Sequence, residues 1–251
     1  MSLAGLDLTI LGPAFLTGLL VLATHVPLGR RVLERGIVFL DLAVAQVAAA
    51  GGIAAHLAGI EGDTWQQVAA LAAALAGAYA LYLCERRWPE VQEALIGATF
   101  VVAASVVMLM LAHAPHGGEH LQDVLAGQIL WVGWDQLGPA ALASAGVLAV
   151  WLALRGNLPA WLFYASFALS VTVSVQLVGV YLVFASLILP ALSSRHAGLR
   201  RGFLVGAAGY GAGLLASGLL DLPAGPAVVC ALALAAILGG TSGRRAQGAS
   251  R

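Results

Sequence analysis

Three histidines fall within eight residues of the segment HAPHGGEHLQD, where His113, His116 and His120 are interleaved with Glu119 and Asp123. Imidazole and carboxylate are the groups that zinc, manganese and iron(II) accept as ligands. The spacing H-x2-H-x2-E-H matches no standard site, and Pro115, Gly117 and Gly118 make the segment a pliable loop. Ordering such a loop around an ion loses conformational entropy, so His113, His116, Glu119 and His120 could hold metal only transiently. A solvated polar connection is the competing reading of the same residues.

A second set of polar residues lies inside long apolar runs. The stretch RGIVFLDLAVAQVAAAGGIAAH, from Arg35 to His56, carries Asp41, Gln46 and His56. Ionisable and amide groups in hydrocarbon usually face a protein interior or a water-filled path. Asp41, Ala45, Ala48, Gly52 and Ala55 share one helical stripe, narrow enough in side-chain volume for another helix to approach closely. Two readings of Asp41 stand side by side, a polar group on a path and a partner for Arg30 or Arg35. Gln46 is either a path contact or an interhelical hydrogen-bond link. His56 is expected at an exposed edge, and His25 and His196 in solvent near the arginines. In QLVGVYLVFASLILPALSSR, from Gln176 to Arg195, Gly179, Val183, Ser186 and Pro190 share a face. Pro190 has no N–H to donate, which frees the Ser186 carbonyl and allows a kink of the kind that lines cavities in transporters.

Enzyme chemistry finds no footing. There is no GxxxxGK[ST], no GxGxxG after a strand, no HExxH, and no Ser-His-Asp set that a substrate could reach. An enzyme is therefore the least favoured class.

The elements that must position these groups are membrane helices. Of 251 residues, 61% are hydrophobic and 10% charged, with a mean hydropathy of +0.93, which is polytopic membrane composition. Windows of about 20 apolar residues give spans over 8–28, 36–58, 65–84, 92–112, 137–154, 158–176, 177–194, 202–220 and 225–241. Connections are short, so 1–251 reads as one integral-membrane domain, with 113–137 an outer loop plus a short surface or re-entrant helix. An eight-span variant fuses the sixth and seventh. All 12 basic residues are arginine, and with nine spans every one falls on the same side. The positive-inside rule then puts the N-terminus outside and the C-terminus in the cytoplasm. An eight-span fusion breaks that pattern after Arg155. The fold class is accordingly all-α, a polytopic membrane bundle of about nine transmembrane helices. The charge balance indicates no nucleic-acid partner. Cys84 and Cys230 fall near opposite faces and are not expected to pair.

Three of these stretches, in order, resemble the permease subunit of bacterial ABC importers for zinc, manganese or iron. ERGIVFLDLAVAQVAAAGG stands where that family has R-x-x-x-F and a GDALAH-like run. Leu125-Ala-Gly-Gln-Ile-Leu130 followed by Trp134-Asp135-Gln136-Leu137 matches LFGxIL and a short polar pair. Gly179, Leu182, Val183, Ala185, Leu187, Pro190 and Ala191 match G-x-L-L-V-x-A-x-L-x-x-P-A. Gln46 stands where the family has His, a weaker ligand through its carbonyl oxygen.

The resemblance implies an inner-membrane permease that works as a homodimer in the lipid bilayer, with a separate cytoplasmic ATPase and a periplasmic or extracellular metal-binding protein. No cofactor is expected on this chain; the divalent metal is its cargo. Asp41, Gln46, Gln176, Gly179, Ser186 and Pro190 are the expected translocation path. In the family the connection after the fifth span holds a D-x-x-x-A-x-x-x-G helix that docks on the ATPase. Here about five residues around 155–159 replace it, which moves the expected ATPase contact to Arg195, Arg200 and Arg201. It also raises an alternative, an ATPase-independent secondary transporter or a non-transporting membrane subunit derived from this family.

Overall fold

The computed structural model describes residues 8–112, 129–195 and 197–248. Among these residues the chain is all helical. The helices are α1 (Leu8–Arg35), α2 (Leu40–Leu57), α3 (Asp63–Arg87), α4 (Gln92–Leu111), α5 (Trp134–Ala153), α6 (Ala160–Val178), α7 (Val180–Ser193), α8 (Leu199–Leu220) and α9 (Ala224–Gly248). They follow the expected order, and the doubtful boundary between the sixth and seventh is real.

Seven of the nine, α1 to α6 and α8, are long and apolar enough to cross a membrane. The expectation of a full seventh span does not hold. α7 has 14 residues and rises only about 21 Å, short of a hydrocarbon layer of about 30 Å. The chain turns from α6 into α7 at one residue, Gly179, whose φ of 80° is favourable only for glycine. The apolar part of α9 is also short, Ala224–Gly239. The surface helix expected near 121–137 is only partly open to comparison, since 113–128 lies outside the described residues. Ile129–Trp131 forms one 3-10 turn, and residues 134–137 are the first turn of α5 rather than a separate helix.

Neighbouring helices run antiparallel and close. Leu22 packs where a Cβ on Gly206 would stand and Val26 where one on Gly202 would stand, which sets α8 against α1. Val228 and Leu232 meet Gly213 and Gly209 in the same way, setting α9 against α8. The small-residue stripe of α2 does admit a neighbour. A Cβ on Gly51 would overlap the Ala73 methyl, and Gly52 lies beside Ala70. On α1, a Cβ on Gly29 would overlap the Leu187 carbonyl oxygen, so this residue sets the approach of α7.

Two cores result. Leu40, Ala45 and Ala48 of α2 pack with Ala70, Ala74 and Ala78 of α3 and with Phe163, Phe167 and Val171 of α6. The second core joins Val21, Leu22 and Val26 of α1 with Leu182 and Val183 of α7, Tyr210 of α8 and Val228 of α9. α1 contributes to both, and so do α6 and α7, with Leu177 and Val178 in the second core and Val180 and Leu187 in the first.

The arginines gather at one end, as their sequence positions require. Arg35 Nη1 lies 3.4 Å from both carboxylate oxygens of Glu85 at the end of α3. Arg31 Nη2 donates to the Gly156 carbonyl at 2.6 Å in the α5–α6 turn. Trp65, in the first turn of α3, Trp131, in the 3-10 turn, and Trp134, at the start of α5, are exposed at the opposite end, while Trp88 and Trp161 are exposed at the arginine end. Between Trp65 and Trp88, α3 rises about 34 Å, the separation expected of two interfacial aromatic belts.

Gly29→Ala should destabilise the protein by about 2 kcal/mol through overpacking against α7. Gly97→Ala has nothing within 4 Å of the added methyl and should leave stability unchanged or raise it. Thermal unfolding midpoints in detergent check both.

Candidate translocation site

Asp41 sits in the first turn of α2 and is 1% exposed. Neither of its carboxylate oxygens has a hydrogen-bond partner among the described residues. The expected pairing with Arg30 or Arg35 does not form. Arg35 is taken by Glu85 and lies over the Phe163 ring, 4.5 Å from its centroid. A buried carboxylate left without donors is costly and calls for an explanation other than structure. The N-terminal end of α2, where the helix dipole favours negative charge, is the one compensation visible.

Gln46 is also buried, 4% exposed, but it lies about 140° round the helix from Asp41. The two polar groups of α2 therefore point to different neighbours. His56 is exposed and within 3.2 Å of Gln66 Nε2, an edge position as expected.

Gln176 is exposed in the last turn of α6, and Gly179 is buried at the corner. Gly179 N–H donates to Val175 and its carbonyl accepts from Val183, so the corner is stitched on both sides. Ser186 is fully buried. Its hydroxyl donates to the Leu182 carbonyl at 2.6 Å, which leaves the Tyr210 hydroxyl as donor in the 2.8 Å contact between them. Pro190 lies inside α7, and the ladder resumes with Ser194 N–H and Ser193 Oγ on the Pro190 carbonyl.

The expected path residues are thus brought to two places. Asp41 and Gln46 belong to α2, in the first core, while Ser186 and Pro190 stand on α7 against α1 and α8. α2 touches α6 and, more lightly, α7. His113, His116, Glu119 and His120 lie outside the described residues. Among the described residues, no three His, Cys, Asp or Glu side chains converge as a preformed metal cage. Arg195 and Arg200 are exposed and Arg201 half-buried at the arginine end.

Two features escaped the sequence reading. Ser166, Ser170 and Ser174 are all buried on α6 at i, i+4 and i+8, with Thr172 Oγ1 unpartnered; that spacing in an apolar run was the available signal. His25, expected in solvent, is fully buried. Its Nδ1 lies 2.9 Å from the Val21 carbonyl, the geometry of an N–H donor, and Nε2 has no partner among the described residues. Its neighbour Val26 belongs to the α8 contact and Leu22 marks the same inward face, a periodic signal outweighed by the nearby arginines.

At the arginine end the connection from α5 to α6 is as short as the sequence indicates, Leu154 to Pro159. Arg155 and Gly156 both adopt positive φ, 50° and 76°. Arg31 pins the turn through Gly156 O and Asn157 Oδ1. A cavity of about 250 Å³ beside it is lined by Arg31, Arg35, Asn157 and Phe163.

The pattern of the ABC 3 transport family matches residues 7–169 and 153–241. The chain belongs to the ABC 3 transport family. In fold it is similar to a chain of PsaBC from Streptococcus pneumoniae in complex with Fab, at 18% identity and a TM-score of 0.73, over 91% of this chain and 90% of that one. It is also similar to an inward-facing structure assigned to the metal-chelate type of ABC transporter, at 19% identity and a TM-score of 0.64, over 91% and 82%. No curated protein sequence matches at a significant level. The family permease is a multi-pass membrane protein, and the expected resemblance is confirmed at that level.

Ser186→Ala should lower stability by about 1–3 kcal/mol, because the buried Tyr210 hydroxyl loses its acceptor. Adding Tyr210→Phe should recover part of that loss. A double-mutant cycle in detergent unfolding reads the coupling directly.

Proposed function

We propose that this protein is the permease subunit of a bacterial inner-membrane importer that moves a divalent metal ion, zinc foremost, into the cytoplasm. The reading rests on the family match together with one observation, the buried and unpartnered carboxylate of Asp41. A carboxyl group held in a helix bundle without a donor is suited to meeting a cation in passage, since an approaching cation favours its ionised form. Permeation demands weak contacts, since an ion held by a full cage does not leave. Scattered single groups, Asp41, Gln46 and Gln176, answer that demand better than a cluster would.

ATP is hydrolysed by a separate cytoplasmic subunit, and a periplasmic or extracellular protein delivers the metal. Two copies of the permease would complete the path. Arg195 on the short α7–α8 connection, with Arg200 and Arg201 in the first turn of α8, would offer the ATPase a cationic surface. α7 is the element placed to move, being short, carrying Pro190 inside it and joined to α6 at one glycine. The outer histidines, His113, His116 and His120, would gather metal without determining its passage.

A second reading is favoured by the tight α5–α6 turn. Pinned by Arg31, it offers little surface for an ATPase, as an ATPase-independent derivative of the family would. A stoichiometric ATPase recovered with the chain from native membranes supports the first reading. Its absence, with metal flux following a proton gradient, supports the second.

Asp41→Asn and Pro190→Ala should each cut the initial rate of radiolabelled zinc uptake about tenfold, the effect of losing about 1.4 kcal/mol at the rate-limiting barrier. Replacing His113, His116 and His120 together with Ala should cost less. Unchanged uptake in both single variants, at equal membrane abundance, would sink the path assignment.

A further inference from the structure

A groove open to the side of the bundle runs between α5 and α8, with α1 as its floor. Ala23 and Pro27 of α1 floor it, Leu148 and Leu152 of α5 form one wall, and Phe203 and Leu204 of α8 form the other. Its volume is about 430 Å³. α5 and α8 each pack on α1 and scarcely on one another, which is why the space between them stays open. Leu152 and Leu204, on the two lips, are 64% and 68% exposed. In a membrane such a slot is filled by something apolar, because lining atoms without neighbours forfeit their dispersion contacts.

The mouth of the slot is cationic. Arg200 lines it, Arg30 stands one turn beyond Val26 on the floor helix, and Arg155 follows Leu152 by three residues. The ion pairs at this end engage Arg31 with Glu34 and Arg35 with Glu85. Arg30, Arg155 and Arg200 have no carboxylate partner among the described residues. Trp151, on the α5 wall, carries an indole N–H that also lacks an acceptor there. An apolar slot under a rim of unpaired arginines at the membrane surface matches a molecule with an acyl chain and an anionic head.

Other occupants fit less well. A second copy docked here about a two-fold axis would bring its own Arg30, Arg155 and Arg200 against these, and like charges across an interface are unfavourable. A soluble acidic partner would meet the rim but leave the slot empty.

We propose that the α1–α5–α8 groove is a binding site for an anionic phospholipid of the inner leaflet, its acyl chain between Leu152 and Leu204 and its phosphate at Arg200 and Arg30. The site is independent of the metal path.

The test uses the full chain purified in mild detergent, with phosphatidylglycerol and phosphatidylethanolamine retained after washing counted by mass spectrometry. Wild type should retain phosphatidylglycerol selectively, and Arg30→Gln with Arg200→Gln should lower that retention about fivefold per arginine. Arg200 is exposed and Arg30 half-buried, and neither has a carboxylate partner among the described residues, so the variant should stay monodisperse. Ala23→Phe, which fills the slot, should lower retention of both lipids and leave the oligomeric state unchanged. Equal phosphatidylglycerol retention in wild type and the double arginine variant overturns the proposal. So does an Ala23→Phe variant that keeps its lipid but changes oligomeric state, which would assign the groove to a second copy.

Discussion

Lipid tails are as apolar as leucine, so a membrane bundle gains little by turning apolar side chains inward. What holds this one is how closely its helices approach. Gly29 against the Leu187 carbonyl, Gly51 against Ala73 and Gly213 against Val228 are contacts in which a single methyl has no room. Each brings backbone near backbone or methyl, where many weak dispersion contacts accumulate. The two cores follow from this. α2 and α3 zip together through alanines, α8 fits α1 and α9 through glycines, and α1, with small residues along its length, belongs to both.

Polar groups inside the bundle divide into those that are satisfied and those that are not. Ser186 and Tyr210 close a hydrogen-bonded pair that ends on the Leu182 carbonyl, and Ser193 Oγ and Ser194 N–H both donate to the Pro190 carbonyl. The first pair ties α7 to α8, and the second closes the last turn of α7. Asp41, the Nε2 of His25 and the hydroxyl of Thr172 have no such partners among the described residues.

Helix existence and order were legible because every span carries an apolar run and every arginine falls after an odd-numbered one. Length was not legible at α7. The window 177–194 is apolar throughout, and nothing in hydropathy reports that Gly179 turns the chain inside that window. The stripe of α2 was legible as a contact surface from its 3.6-residue period. Asp41 was legible as a polar group inside the bundle but not as unpartnered, because pairing depends on Glu85, some fifty residues from Arg35, which claims the guanidinium first. His25 was misread for a similar reason. Proximity in sequence to Arg30 implies a surface, whereas burial is decided by Val21, Leu22 and Val26 facing α7 and α8.

The corner at Gly179 has a mechanical consequence. With one residue between them, α6 and α7 share a pivot and have no slack, so α7 cannot translate away from α6. It can only swing. Its far end is Ser193, about 20 Å from the pivot, so a rotation of about 10° would carry that end through about 4 Å. The displacement arrives at the arginine-rich face, next to the connection leading to α8, while the Gly179 end stays still. Any swing of α7 is therefore largest at its Ser193 end and smallest at Gly179.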